Sequence, residues 1–266
     1  MYIYLLLFFI LGLVASIFIE ILGYRLPLNS SLFRKSYCDK CNHDLKISEN
    51  IPIFSFLVQK GRCNHCHQKI SIIYLIFEMA TGILFALTYL SFYQDNFSYL
   101  KIILGLLFVS SLIIICFSDI KYMIIPDEIL IIFTPLVILF SIYIKYCNEE
   151  IVSLMDAGYA LVDIAIDSLV IFLIMFAIKK IGDLVFKKES LGKGDLKLMA
   201  YIAIILGIKL SIVTIFLASF VALPVAVISN LKKDKLMLPF GPCLAIGAII
   251  LFLLHIDFNS LLELIH

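Results

Sequence analysis

Long apolar runs separated by short polar segments dominate the chain. Most runs approach or exceed the ~20 residues that a helix needs to cross a bilayer, although the sixth is short and has a polar start. The pattern predicts an all-α polytopic membrane protein with about eight transmembrane helices. The eight runs cover residues 2–24, 72–93, 100–118, 128–147, 159–178, 197–208, 210–229 and 239–256.

The composition agrees with this prediction. Hydrophobic residues make up 62% of the 266 residues and charged residues 15%, whereas an ordinary soluble domain has roughly 45–50% and 25%. The mean hydropathy of +1.08 excludes an ordinary soluble globular protein and a disordered chain. The net charge of +1 indicates no nucleic-acid partner. Because the first 24 residues lack Lys and Arg, the first run is predicted to be an uncleaved span rather than a signal peptide.

The distribution of the basic residues predicts the orientation. Of the 21 Lys and Arg residues, 18 lie in the four segments 25–71, 119–127, 179–197 and 230–238. The other three are Lys101, Lys145 and Lys209. The positive-inside rule places the four basic segments in the cytoplasm and both termini outside.

The longest polar segment carries a cysteine motif. Cys38-Asp-Lys-Cys41 and Cys63-Asn-His-Cys66 form two C-x-x-C pairs, the spacing of a four-cysteine zinc site. Two disulfides or a redox motif are the alternatives, but a cytoplasmic thiol is kept reduced. A segment this small needs such a staple to fold. The predicted division is therefore a first transmembrane helix, a zinc domain and a membrane domain, at 1–24, 25–71 and 72–266.

The other cysteines and the histidines near the motif have simpler interpretations. Cys116, Cys147 and Cys243 are expected to be small buried hydrophobic residues. The three histidines beside the cysteine pairs are expected to be solvated loop residues; they are His43, His65 and His67.

Ionisable residues in or beside apolar runs are functional candidates, because charge at membrane depth is costly. Glu20 and Glu78 are expected either to bind a cationic cofactor or peptide terminus, or to pair with a nearby Lys or Arg. Asp127, after Pro126, is expected to cap a helix. The full set is Glu20, Glu78, Asp119, Asp127, Asp163, Asp167, Asp195 and His255.

Three further acids are expected to lie away from any catalytic pair. Asp163 and Asp167 lie one helical turn apart in the outer half of the fifth run. They are expected to line a cavity or to pair with a polar neighbour. Asp183 follows Gly182 in a predicted loop, where no catalytic role is expected.

Asp119 and Asp195 stand out because both lie at the predicted cytoplasmic boundary on different helices. The Gly192-Lys193-Gly194 stretch before Asp195 allows close backbone approach. Two facing carboxylates in a low-dielectric site share a proton, which provides one general base and one general acid. This pair predicts hydrolysis of a peptide bond.

The motifs resemble those of bacterial type IV prepilin peptidases, which are GxGD-type intramembrane aspartic proteases. The GxGD element is Gly192 to Asp195, and Asp119 with Pro126-Asp127 matches the first aspartate motif. Shorter matches follow in family order over nearly the whole chain. They are Tyr24-Arg-Leu-Pro27, both cysteine pairs, Asn50-Ile-Pro52, Gly61-Arg-Cys63, Ile70-Ser71, Glu78 with Thr81-Gly82, and Leu238-Pro-Phe-Gly-Pro242.

The resemblance implies an enzyme with two activities in the bacterial inner membrane. It would cleave the basic leader of prepilins and pseudopilins at the cytoplasmic face and then N-methylate the new terminus with S-adenosylmethionine. It implies that Asp119 and Asp195 are catalytic, that the four cysteines bind structural zinc, and that the partners are these substrates and membrane lipid. Departures from the family pattern are Glu20, Lys121 and Cys243.

Two other function classes follow from the same residues. A membrane thiol oxidoreductase would use the C-x-x-C pairs and hold no stoichiometric metal. A transporter would use the intramembrane acids as a proton relay, but this reading leaves the GxGD element and the cysteine motif unexplained.

Overall fold

The named secondary-structure elements of the computed structural model are all α-helices. It describes residues 1–32, 36–38, 40–41, 43–46, 49, 51–95, 98–187, 189–231 and 239–255. Asn50, most of the predicted cytoplasmic segment 230–238 and residue 256 lie outside these residues. The helices are α1 Tyr2–Arg25, α2 Phe54–Val58, α3 Ile72–Phe92, α4 Ser98–Tyr122, α5 Asp127–Cys147, α6 Leu154–Phe186, α7 Lys193–Leu231 and α8 Gly241–Leu253.

Six of the helices are long and apolar enough to cross a membrane, namely α1 and α3 to α7. The predicted all-α polytopic architecture is therefore confirmed, while the count of eight spans stays a prediction. α7 covers both the sixth and the seventh predicted run, and the eighth run forms α8, which has only 13 residues.

α7 is interrupted where those two runs meet. Gly207 has φ 70° and ψ 178°, which breaks the helix. Glycine tolerates this positive φ because it has no Cβ. The boundary between the sixth and seventh predicted runs therefore coincides with a break at Gly207, and α7 consists of one helical part on each side of it.

The described helices fall into two compact units, Met1–Leu90 and Ser91–His266. In the first unit, α1 packs closely on α3 through small residues. A Cβ on Gly12 would lie 2.7 Å from the Thr81 carbonyl oxygen, and a Cβ on Gly82 would lie 2.8 Å from the Phe9 ring. Glycines at such positions let two membrane helices approach closely. The predicted three-part division of the chain remains a prediction.

α4 forms the core of the second unit. Of its most apolar stretch, 61% is buried, compared with 17–22% for the other long helices. It contacts α5 and α8, and α7 contacts α6 and α8. A hydrogen bond of 2.8 Å between the hydroxyls of Ser111 and Tyr201 joins α4 to α7. The other long helices therefore leave most of their residues half-buried or exposed, as lipid-facing helices do.

Candidate active site and metal centre

Asp119 lies in the last turn of α4 and is 6% exposed. Its Oδ2 accepts a hydrogen bond of 3.0 Å from the backbone N–H of Gly241, the first residue of α8. The first N–H groups of a helix have no partner within the helix. The N-terminus of α8 thus supplies a donor to this carboxyl group, a contact that the sequence analysis did not identify.

Asp195 lies in the first turn of α7 and is 7% exposed. Its Oδ2 accepts a hydrogen bond of 3.1 Å from the backbone N–H of Gly192. A side chain at the third helical position commonly reaches back in this way to the residue before the helix. The positive end of the helix dipole also favours negative charge there. The Gly192-to-Asp195 element therefore fixes its own carboxyl group.

The structure brings Asp119 and Asp195 together. Their carboxyl groups are close enough to interact electrostatically, and the thiol of Cys243 interacts with both. Ile125 links the two motifs, because a Cβ on Gly194 would lie 3.0 Å from Ile125 Cβ and one on Gly241 would lie 3.3 Å from Ile125 Cδ1. Each aspartate thus has one oxygen fixed by a glycine N–H at a helix N-terminus.

The segment before α7 is fixed to the end of α6. Asp183 Oδ1 accepts hydrogen bonds from the Ser190 N–H at 2.6 Å and the Ser190 hydroxyl at 2.9 Å. Ser190 can approach because Gly182 has no Cβ. Lys179 Nζ donates to the Leu191 carbonyl and interacts electrostatically with Asp195. The predicted loop position of Asp183 was wrong, since α6 continues to Phe186.

Asp127 does not cap α5, contrary to the sequence expectation. It is the first residue of α5, and the helix makes no side-chain cap hydrogen bond at this end. Its two carboxylate oxygens instead each accept a hydrogen bond of 2.7 Å from Lys197 Nζ. This ion pair joins the start of α5 to the first turns of α7. Because both side chains are about half exposed, the pair contributes orientation more than stability.

The four cysteines of the motif converge in the first unit. The sulfur atoms of Cys38, Cys41, Cys63 and Cys66 all lie within 4.8 Å of one another, and Cys38 Sγ is 3.9 Å from Cys66 Sγ. Sulfurs bound at about 2.3 Å to one tetrahedral zinc ion would be ~3.8 Å apart. A disulfide would require about 2.05 Å. The donor set and its spacing therefore fit a four-thiolate zinc ion.

Each cysteine pair is the tip of a small loop, and the two loops repeat the same hydrogen bonds. The N–H of the first cysteine donates to a carbonyl five residues later, from Cys38 to His43 and from Cys63 to Gln68, both at 3.0 Å. An antiparallel bridge closes each loop, and the rings of His43 and His65 stack with centroids 4.6 Å apart. These two loops, residues 36–45 and 61–70, are called the knuckles below.

Without a cation, the cluster is electrostatically unfavourable as four thiolates. Backbone N–H groups of Cys66 and His65 stabilise the Cys63 thiolate and lower its pKa to about 7. For Cys41, the His43 N–H favours the thiolate, but lost hydration and the three neighbouring sulfurs outweigh it and raise the pKa to about 12. A bound divalent cation would remove this conflict, because it stabilises all four thiolates at once.

The remaining sequence candidates have local roles. Glu78 Oε2 accepts a hydrogen bond of 2.6 Å from the Ile53 N–H, a backbone contact that neither sequence alternative included. Asp167 interacts electrostatically with Asp163 and Lys145. His255 lies edge-on against the Phe92 ring at 4.4 Å between centroids. None of these contacts includes Asp119 or Asp195.

Comparisons with known proteins match both units. The profile described as "Bacterial Peptidase A24 N-terminal domain" matches residues 10–92, and the profile described as "Type IV leader peptidase family" matches residues 106–227. The comparison with solved structures found no match.

Curated relatives match along most of the chain. A prepilin leader peptidase/N-methyltransferase of Bacillus subtilis is 32% identical over 249 residues, covering 92% of each protein. One of Vibrio cholerae is 29% identical over 264 residues, covering 94% of this chain and 97% of the relative. A type 4 prepilin-like proteins leader peptide-processing enzyme of Escherichia coli is 32% identical over 216 residues, covering 81% and 74%.

The fold and the matches together define a multi-pass membrane peptidase. The helices long enough to span a bilayer indicate a multi-pass membrane protein, and the family profiles indicate a peptidase. The chain belongs to the type IV leader peptidase family. The resemblance drawn from the sequence motifs is confirmed.

Proposed function

We propose that this protein removes the leader peptide of type IV prepilins and pseudopilins and then N-methylates the new N-terminus. The observation that carries the peptidase assignment is the pairing of Asp119 and Asp195, two buried carboxyl groups from separate motifs. The names of the relatives, which specify both activities, support the combination.

In the proposed reaction the two aspartates share one proton. The ionised carboxylate takes a proton from a water molecule, which attacks the carbonyl carbon of the scissile peptide bond. The protonated carboxyl group gives its proton to the leaving nitrogen. The Oδ2 atoms of Asp119 and Asp195 accept glycine N–H groups, so we assign the water and the shared proton to the two Oδ1 atoms.

The substrate is proposed to approach within the membrane plane. A basic leader would face the cytoplasmic side, where 18 of the 21 Lys and Arg residues are predicted to lie. The apolar segment of the substrate would remain among lipids beside α5 to α7. Holding it there fixes the depth of the scissile bond and converts a bimolecular search into near-intramolecular positioning. The proposed location is therefore the inner membrane, with the active site toward the cytoplasm.

Zinc and S-adenosylmethionine are the proposed cofactors. The four cysteines would hold zinc, which stabilises the small domain and leaves no coordination position for a substrate. S-adenosylmethionine would supply the methyl group. The groove of about 490 Å³ between α5, α6 and α7 has an apolar lining apart from the hydroxyls of Thr134 and Ser168. Such a lining does not fit a charged methyl donor, so no residue is assigned to it.

Mass spectrometry of a pilin tests both activities. A candidate prepilin is expressed with and without this protein, and its N-terminus is analysed. We expect loss of the leader and the added mass of one methyl group only when the protein is present. An intact leader in its presence would contradict the peptidase assignment, and an unmethylated mature terminus would leave the peptidase alone.

Removal of a metal ligand is expected to affect the two activities unequally. Cys38→Ser or Cys63→Ser should lose stoichiometric zinc and unfold segment 25–71, because metal binding and folding are coupled in so small a domain. Methylation should fall more than cleavage, since both aspartates lie in the other compact unit.

Elemental analysis and the two activity assays check this expectation. Cys147→Ser is the matched control, because Cys147 lies at the end of α5 outside the cluster. Equal loss of both activities would indicate that the whole fold depends on the metal. Redox-active cysteines without stoichiometric zinc would instead favour the thiol oxidoreductase.

A further inference from the structure

The short helix α2 presents an unusual apolar surface. Phe54, Leu57 and Val58 are 60%, 64% and 63% exposed, although α2 belongs to the small polar domain between α1 and α3. These three side chains are called the α2 patch below. Phe56 points the other way, since a Cβ on Gly61 would lie 3.0 Å from its ring. α2 therefore anchors to the second knuckle through one face and exposes the opposite face.

The position of α2 along α3 indicates what the patch faces. The Ile53 N–H, directly before α2, donates to Glu78 Oε2 at 2.6 Å. Glu78 lies six residues after Ile72, the start of α3, which is ~9 Å along the helix axis at 1.5 Å per residue. α3 is long and apolar enough to cross a membrane. The start of α2 is thus level with a point inside this span, not with a point above its end.

The backbone turn before α2 is strained, which indicates that surrounding contacts hold α2 in a defined position beside α3. Ile53 has φ 62° and ψ −52°, an unfavourable conformation for a β-branched residue. The turn is closed by a hydrogen bond of 2.6 Å from the Phe54 N–H to the Pro52 carbonyl. Strain of this kind persists only where surrounding contacts hold it, and the bond to Glu78 is such a contact.

The charge around the patch matches a bilayer surface. Lys60 and Arg62 follow α2 directly and are exposed. Basic residues beside an apolar helix face are attracted to anionic headgroups while the apolar side chains enter the acyl boundary.

We propose that α2 is an interfacial helix, whose patch inserts into the bilayer leaflet at the level of the first turns of α3. The lipid surface is the partner of this patch. This contact with lipid would extend the lipid-facing surface of α1 and α3, the two candidate spans of the same compact unit. In this arrangement the bilayer holds α2 through the patch, and α2 holds the second knuckle through the contact of Phe56 with Gly61. The inference needs only that α3 spans the membrane and does not depend on the proposed function.

The absence of Trp from the chain provides a clean test. Leu57→Trp and Phe54→Trp are each prepared as full-length protein in nanodiscs of phosphatidylcholine and phosphatidylglycerol. The same lipids are also used with bromines near the headgroup or near the chain terminus. Lys46→Trp, on the exposed residue directly after the first knuckle, is the matched control.

Both patch variants are expected to emit at shorter wavelength than Lys46→Trp. Bromines near the headgroup should quench them more strongly than bromines near the chain terminus, because the patch is placed at a shallow depth. The control should keep its emission in either lipid. Emission from both patch variants that matches the control would overturn the proposal. Blue-shifted emission without bromine quenching would also overturn it, since protein would then cover the patch.

Discussion

Replacing either Asp119 or Asp195 by Asn is expected to reduce prepilin cleavage by about 10²- to 10⁴-fold, the contribution typical of one general acid or base. Asn has the shape of Asp, and its side-chain oxygen can still accept the N–H of Gly241 or Gly192. The variants therefore keep the glycine contacts and lose the ability to share and transfer a proton.

The measurement is the fraction of a co-reconstituted prepilin that is cleaved over time. Because the two carboxyl groups act as one unit, the Asp119→Asn/Asp195→Asn double variant should be no less active than either single variant. Asp163→Asn is the matched control, since Asp163 is an exposed acid of the neighbouring helix α6. Undiminished cleavage by either single variant would refute the dyad.

The parts of this molecule that were predictable from sequence are those fixed by local pattern or by the bilayer. A bilayer leaves backbone groups no partner except those within a helix or a closed barrel, so long apolar runs predicted helices. The C-x-x-C spacing predicted the cysteine cluster, because each pair already presents two sulfurs from one tight loop. The structure then brought the two loops together with matching hydrogen bonds.

Contacts between distant segments were not predictable in the same way. The sequence singled out Asp119 and Asp195, because both lie at the predicted cytoplasmic boundary on different helices, but it did not indicate what holds them. Gly241 belongs to the 238–242 motif, and its Gly-Pro sequence is typical of a helix start. That its N–H reaches Asp119 depends on where the start of α8 packs against the end of α4, and spacing carries no such information.

The predicted helix ends differed from the observed ones for a related reason. Polar residues after the apolar part of the fifth run suggested a loop, yet α6 continues to Phe186. The extension is held by side-chain contacts from Lys179 and Asp183 to residues of the following segment. Asp127 also differs from the sequence expectation, because Pro126 occupies the N-cap position of α5 and the Asp127 carboxylate pairs with Lys197, which lies far away in sequence.

Gly241→Ala is expected to reduce cleavage by ~10²-fold or more while the protein still folds. An added Cβ would lie 2.7 Å from Asp119 Oδ2, closer than real Cβ atoms come to other atoms, and 3.3 Å from Asp119 Cγ. Either the carboxyl group or the start of α8 has to move. A displacement of about 1 Å at a reacting group can cost 10²-fold in rate, and this one also disturbs the hydrogen bond that orients the carboxyl group.

The matched control for this substitution is Gly158→Ala. Gly158 lies in α6, and a Cβ added there would meet no atom within 4 Å, so the same change should leave cleavage intact and favour the helix by up to about 1 kcal/mol. Cleavage kinetics should show the Gly241→Ala loss in kcat rather than KM, since the variant misplaces a reacting group and leaves distant substrate contacts unchanged. Methylation of a pilin supplied already cleaved should persist, which separates this effect from general unfolding. Normal cleavage by Gly241→Ala would mean that the contact between α8 and Asp119 does not orient the reacting carboxyl group.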